Sequence, residues 1–216
     1  MSSRVGGEMA DAGAGRDAGT QRWLLVVTST AGGPASLRVQ VWRKLRSLGA
    51  LYLQQSVCLL PDRPEVSRAV RRLLDRVRRD GGEARLLHLT LPDPDEHAQI
   101  VAAFRHERAS EYAEVLERTP AFVEELATER ARGRTTYAEV EESEADLERF
   151  RSWLSKIAAR DYFGAPNAAD AHAAVERCAS ELAAFEEEAL AVEAPAAGAT
   201  TPEPVRRLRI ARTDPA

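Results

Sequence analysis

The chain divides by the period of its apolar positions. Trp23 to Thr30, WLLVVTST, is a continuous apolar and β-branched run, which predicts a strand buried on both faces. AGGPAS forms a loop after it, and Ser36 is placed to N-cap the next helix. Leu37, Val41, Leu45 and Leu48 fall within about 80° on one side of that helix at 100° per residue. Gly49 ends it. Leu51–Leu53 and Val57–Leu60 are short apolar runs separated by QQS, which predicts a hairpin. Asp62 and Glu65 have capping-box spacing ahead of a second helix, with Pro64 between them. Val66, Val70, Leu73 and Val77 line its inner side, Gly81-Gly82 stop it, and Ala84–Leu91 reads as a fourth strand halted by Pro92.

From Pro92 onward the period changes to that of helices. Asp95 to Arg118 predicts one helix, with Ile100, Phe104, Tyr112, Val115 and Leu116 inward. Thr119-Pro120 is expected to begin a separate helical segment that fades at Arg132-Gly133-Arg134. Thr136 and Glu139 again have capping-box spacing, opening a helix that runs to about Arg160 with Val140, Leu147, Leu154 and Ile157 in its stripe. RDYFGAP breaks it, and a last helix from about Ala168 to Val192 carries Val175, Cys178, Leu182 and Phe185. So short a break predicts an antiparallel helical hairpin.

The order strand, helix, strand, strand, helix, strand predicts an α+β fold of ferredoxin-like split βαβ type (βαββαβ) over residues 22–92, with both helices on one face of the sheet. A helical domain follows over 93–192. Residues 1–21 and 193–216, rich in Gly, Ala and Pro, read as disordered tails. No apolar run of about 18 residues or signal-peptide centre occurs, so neither a membrane partner nor export is expected, and the expected location is cytoplasmic. Two cysteines, Cys58 and Cys178, are too few for a disulfide scaffold or a cysteine zinc site.

Charge adds a division that hydropathy does not show. Residues 36–85 hold 12 Lys and Arg against 5 Asp and Glu, whereas residues 93–193 hold 11 against 24. A basic front can meet a phosphate backbone, or the acidic rear can neutralise it. On the first helix Arg43 and Arg46 point away from the sheet, with Arg38 and Lys44 at the flanks. Val39 and Trp42 lie off the apolar stripe, and a tryptophan there predicts a covering partner: a helix of the acidic half or a second subunit. Arg68, Arg71, Arg72, Arg76, Arg78 and Arg79 add a second basic stripe. Arg43, Lys44, Arg46, Arg71 and Arg72 are the candidate DNA contacts.

Catalytic chemistry finds little support. His88, His97, His106 and His172 lack metal-ligand spacing, no cofactor or nucleotide motif occurs, and runs such as Glu186-Glu187-Glu188 are explained as solvated helix faces. No enzyme activity, metal or cofactor is expected. The loop of residues 28–36 joins a strand to a helix start, where free amides and the helix dipole favour an anion. Gly32, Gly33, Ser36 and Arg38 are the candidate donors for a chromate- or sulfate-like oxyanion; alternatively the glycines only turn the chain.

WLLVVTSTAGGPASLRVQVWRKLRSLGALYLQQSVCLLP, followed by LERFRSWLSKIAARDYFGAP and an alanine-rich helix with ELAAFEEE, resembles the N-terminal domain of the ChrB family over roughly Trp23 to Val192. The resemblance implies a bacterial chromate-resistance regulatory protein that binds promoter DNA and responds to chromate, and relatives that continue into a second domain. A non-enzymatic interaction or dimerisation module, as a homodimer, is the alternative. The first half also resembles a CRISPR spacer-acquisition nuclease subunit, which holds a metal ion with an acidic residue at the end of its first strand. Here that strand ends Val27-Thr28-Ser29-Thr30, without a carboxylate. RDYFGAP reads as structural, with Tyr162 and Phe163 packed into the hairpin base and Arg160 and Asp161 pairing across the turn.

Overall fold

The structure, a computed structural model, describes residues 21–193, with side chains to residue 191. The tails, including the tail arginines Arg206, Arg207, Arg209 and Arg212, lie outside the described residues. Four strands, β1 (Arg22–Ser29), β2 (Leu51–Gln54), β3 (Val57–Pro61) and β4 (Glu83–Thr90), form one antiparallel sheet in the order β2-β3-β1-β4. Helices α1 (Ala35–Ser47) and α2 (Pro64–Arg79) complete the first unit, and α3 (Pro94–Ala131), α4 (Tyr137–Ala158) and α5 (Ala168–Glu193) follow.

The run in β1 is apolar throughout because both faces of the sheet are covered. Successive side chains alternate between faces. Leu24 and Val26 join Cys58 and Leu60 of β3 under Leu37, Val41 and Leu45 of α1 and Val66, Val70 and Leu74 of α2. Trp23 and Leu59 point the other way and meet Phe104 of α3, with Leu25, Leu89, Ile100 and Phe163 packed around them. Trp23 is wholly buried, its ring stacked on Phe104 at 5.6 Å between centroids. The start of the acidic half therefore covers the side of the sheet opposite α1 and α2.

Two expected helix caps do not form. Pro34 precedes α1 without a side-chain cap, and Ser36 lies inside the first turn. Asp62 does not cap α2: Arg63 holds the N-cap position, and the Asp62 carboxylate turns to Ser67, His88 and Arg22 instead. Three strong partners outcompete one backbone amide. Thr136 behaves as expected, its hydroxyl accepting from the Glu139 amide at the start of α4.

Pro120 does not divide α3, which runs 38 residues without a break. Proline removes the N–H that would reach the Leu116 carbonyl. The Thr119 hydroxyl donates to that carbonyl at 3.3 Å, so the acceptor is satisfied and the helix continues. The expected antiparallel hairpin of α4 and α5 packs against α3, and the three helices form the second core. Tyr112, Val115, Phe122 and Leu126 of α3 interlock with Leu147, Leu154 and Ile157 of α4 and Val175, Cys178, Leu182 and Phe185 of α5. Arg118 lies over Trp153, and Phe122 meets Phe150, so α4 runs antiparallel to α3. Asn167 bonds the Ala109 carbonyl near one end, and Arg130 bonds Glu181 and Glu188 near the other, so α5 runs parallel to α3.

Candidate functional site: the outer side of the basic helices

The apolar stripes of α1 and α2 face the sheet, so their arginines are directed outward or sideways by helical geometry alone. Arg43, Lys44, Arg46, Arg71 and Arg72 are all exposed, and none makes an ion pair with a carboxylate among the described residues. The acidic helices do not lie over them. Arg76 and Arg78 of the same stripe are neutralised locally by Asp80 and Asp75.

The five candidates do not form one tight cluster. Lys44 and Arg72 meet across the shallow groove between α1 and α2, with Gln40 and Arg76 beside them. Arg46 folds over the Trp42 ring at 5.3 Å, on the flank of α1 nearer the β2–β3 hairpin. Arg71 sits on the opposite flank of α2, where its guanidinium reaches the His88 ring nitrogen at 3.3 Å. Arg43 points straight out. Trp42 is 45% exposed, so no helix of the acidic half covers it; Arg46 and solvent are its neighbours.

The β1–α1 loop is held by backbone packing. A Cβ at Gly32 would stand 2.4 Å from the Gly81 carbonyl oxygen, and one at Gly33 would stand 2.8 Å from the Asp80 oxygen. The two glycines thus let this loop press against the turn between α2 and β4. The Gly33 amide already donates to the Thr30 carbonyl at 3.1 Å. Ser36 and Arg38 are exposed, and Arg38 turns toward the groove beside Trp42.

Beneath α2, Asp62 gathers three elements. Its Oδ1 accepts from the Ser67 hydroxyl at 2.7 Å, its Oδ2 lies 2.8 Å from His88 Nδ1 of β4, and Arg22 of β1 stands 3.6 Å away. Burial pushes the carboxyl up, but the hydrogen bonds from Ser67 and His88 and the charges of His88 and Arg22 hold it below its ordinary value on balance. Neither thiol is poised as a nucleophile: burial pushes Cys58 up to about 12 and raises Cys178 as well.

Where the two units meet lie charged residues that sequence periodicity does not single out. Arg108 of α3 is buried and pairs with Glu111 at 3.1 Å, and Arg160 reaches the same carboxylate at 2.6 Å. Arg160 thus pairs with Glu111, while Asp161 accepts from the Ala165 amide and closes the turn. A Cβ at Gly49 would stand 2.8 Å from Cβ of Arg160 and 2.9 Å from Nη1 of Arg108, and its φ of +72° favours glycine. The one sequence signal for this junction was the distinctness of RDYFGAP.

The architecture is that of an α+β protein of two packed units, a helix-covered antiparallel sheet and a three-helix bundle. The family described as Protein ChrB, N-terminal, matches residues 38–195, and the chain belongs to it. It is 30% identical over 92 residues to Protein ChrB of Cupriavidus metallidurans, an alignment covering 43% of this chain and 28% of that protein. The chain thus matches well under a third of the length of this curated relative. No solved structure gives a significant match. None of the described helices is long and apolar enough to cross a membrane.

Proposed function

We propose that this chain is a non-enzymatic, DNA-binding regulatory protein of chromate resistance, and that it grips the DNA backbone with the outer side of α1 and α2. The observation that carries this reading is the exposure of Arg43, Lys44, Arg46, Arg71 and Arg72 without carboxylate partners among the described residues, on a chain whose carboxylates are concentrated elsewhere. Membership of the ChrB N-terminal family supports the link to chromate. The strand order β2-β3-β1-β4 and the placement of both helices on one face support the ferredoxin-like split βαβ reading of the first unit. Each phosphate contact releases counterions, so affinity falls with salt at a logarithmic slope of roughly 0.9 per contact. Fluorescence anisotropy with the DNA upstream of its own gene tests this. Binding at low salt, lost when Arg43, Arg46, Arg71 and Arg72 are changed together to Glu, is the expected result. No binding at low salt ends the proposal.

Val39 and Trp42 on α1 and Leu53 and Leu87 on the sheet, each close to half exposed, favour a second reading, a module that pairs with another copy of itself. Light scattering separates the two. A dimer that Trp42→Arg dissociates while DNA binding is absent supports this alternative.

A further inference from the structure

Between the two units runs a groove of about 1130 Å³ lined by Arg63 at the start of α2 and by His97, Arg105 and His106 on α3. Among the described residues no Asp or Glu lines it. Asp62, next to Arg63, is engaged by Ser67 and His88, and Asp161, beside the groove's floor, is engaged by the Ala165 amide.

The arginines are held by the backbone of the motif that the sequence singled out. Arg63 donates from Nη2 to the Tyr162 carbonyl at 2.9 Å and lies over the Tyr162 ring at 4.8 Å. Arg105 donates from Nε to the Phe163 carbonyl, also at 2.9 Å. Carbonyls of consecutive residues thus anchor the guanidinium groups of the α2 N-cap residue and of α3, each by a single N–H, and among the described residues their other donors have no side-chain or backbone acceptor. His97 packs against the buried Trp23 ring, and among the described residues neither its Nε2 nor Trp23 Nε1 has a hydrogen-bond partner.

We propose that this groove is a binding site for a tetrahedral oxyanion, either free or carried on a small organic body. Two guanidinium groups restrained by carbonyls are suited to charge-assisted, forked hydrogen bonds to such an anion. Among the described residues no carboxylate in the lining competes with such an anion. Val101, Ala102 and the Phe163 ring form an apolar wall that an organic substituent can cover. The site does not depend on the proposed DNA contact, and it is separate from the β1–α1 loop.

Calorimetric titration of the full chain with sodium sulfate, chromate and phenyl phosphate, each against a chloride background, tests it. Saturable heat with at least one of them is expected, weakened tenfold or more by Arg105→Gln and several-fold by His106→Gln. Sulfate or chromate binding as tightly as phenyl phosphate identifies the inorganic ion; tighter phenyl phosphate identifies an organic oxyanion. His106 makes no side-chain hydrogen bond among the described residues, so that variant decides the matter if Arg105→Gln fails to fold. Arg43→Gln on the outer side of α1 should leave anion binding unchanged, which separates this site from the DNA reading. No saturable heat with any probe, or heat that survives both groove substitutions, overturns the proposal.

Discussion

The Tyr162 hydroxyl donates to the Leu48 carbonyl at 2.8 Å, joining residues 114 apart in sequence across the boundary between the two units. Leu48 is the C-cap of α1, whose last carbonyls lack intrahelical partners. The phenol supplies one, and burial raises it above its ordinary value, so the hydroxyl stays protonated and able to donate at neutral pH. The hinge region of the helical half thereby terminates a helix of the sheet unit.

Tyr162→Phe keeps the ring beneath Arg63 and removes this one bond. The expected cost is about 1 kcal/mol, read as a lower urea midpoint with an unchanged slope. Two separate unfolding transitions in the variant would identify this bond as the main coupling between the units.

Glu111 is shared by Arg108 and Arg160 in a nearly dry setting, their side chains being 15%, 6% and 17% exposed. Removing the carboxylate takes away the one ion-paired counter-charge that two neighbouring guanidinium groups have among the described residues, and leaves only the weaker fields of Glu107 and Asp161 on Arg108. Glu111→Ala should lose about 3–5 kcal/mol, the range for breaking a buried pair from one side. Thermal unfolding followed by circular dichroism measures it, and a loss no larger than that of an exposed glutamate such as Glu114 would refute it.

Asp62 makes acid stability depend on one carboxyl. Its folded value is lowered, so its contribution is complete above the ordinary value of 3.8 and disappears as pH falls through the folded value. The part of the native protein's stability advantage over Asp62→Asn that comes from this carboxyl should therefore shrink as pH falls below about 4. Denaturant titrations of both proteins at stepped pH check the sign; an advantage that grows on acidification contradicts it.

Cys58, wholly enclosed between the sheet and its helices with its thiol pushed up to about 12, should resist iodoacetamide at neutral pH. Cys178, buried in the helical core, should do the same. Modification should follow the rate at which each core opens, so the two thiols report on the two units separately. Immediate labelling of either in the native protein would show that its core is open.

Residue pattern alone determined most of the architecture. Helical stripes name Leu37 and Val41, Val66 and Val77, and Leu147 and Ile157 as core residues, and all are buried, as are Leu24 and Val26 of the continuous apolar run. These signals are local: a strand or helix repeats its buried face within one or two turns, so a short window contains the information. Local spacing misled where distant partners competed. Asp62 has the right offset to cap α2 and instead satisfies Ser67, His88 and Arg22, and Pro120 leaves α3 whole because Thr119 takes over the orphaned carbonyl.

Tertiary structure alone decided which surface remains open. The division of charge along the chain leaves two outcomes open, a basic surface facing solvent or one neutralised by the acidic half. The apolar far face of the sheet settled the docking, because burying Trp23, Leu59 and Phe104 gains more than a solvent-screened pairing of surface charges. The same docking assembled the cationic groove from Arg63, Arg105, His97 and the Tyr162–Phe163 backbone. Those residues share no period or spacing, and only the meeting of the two units makes them neighbours.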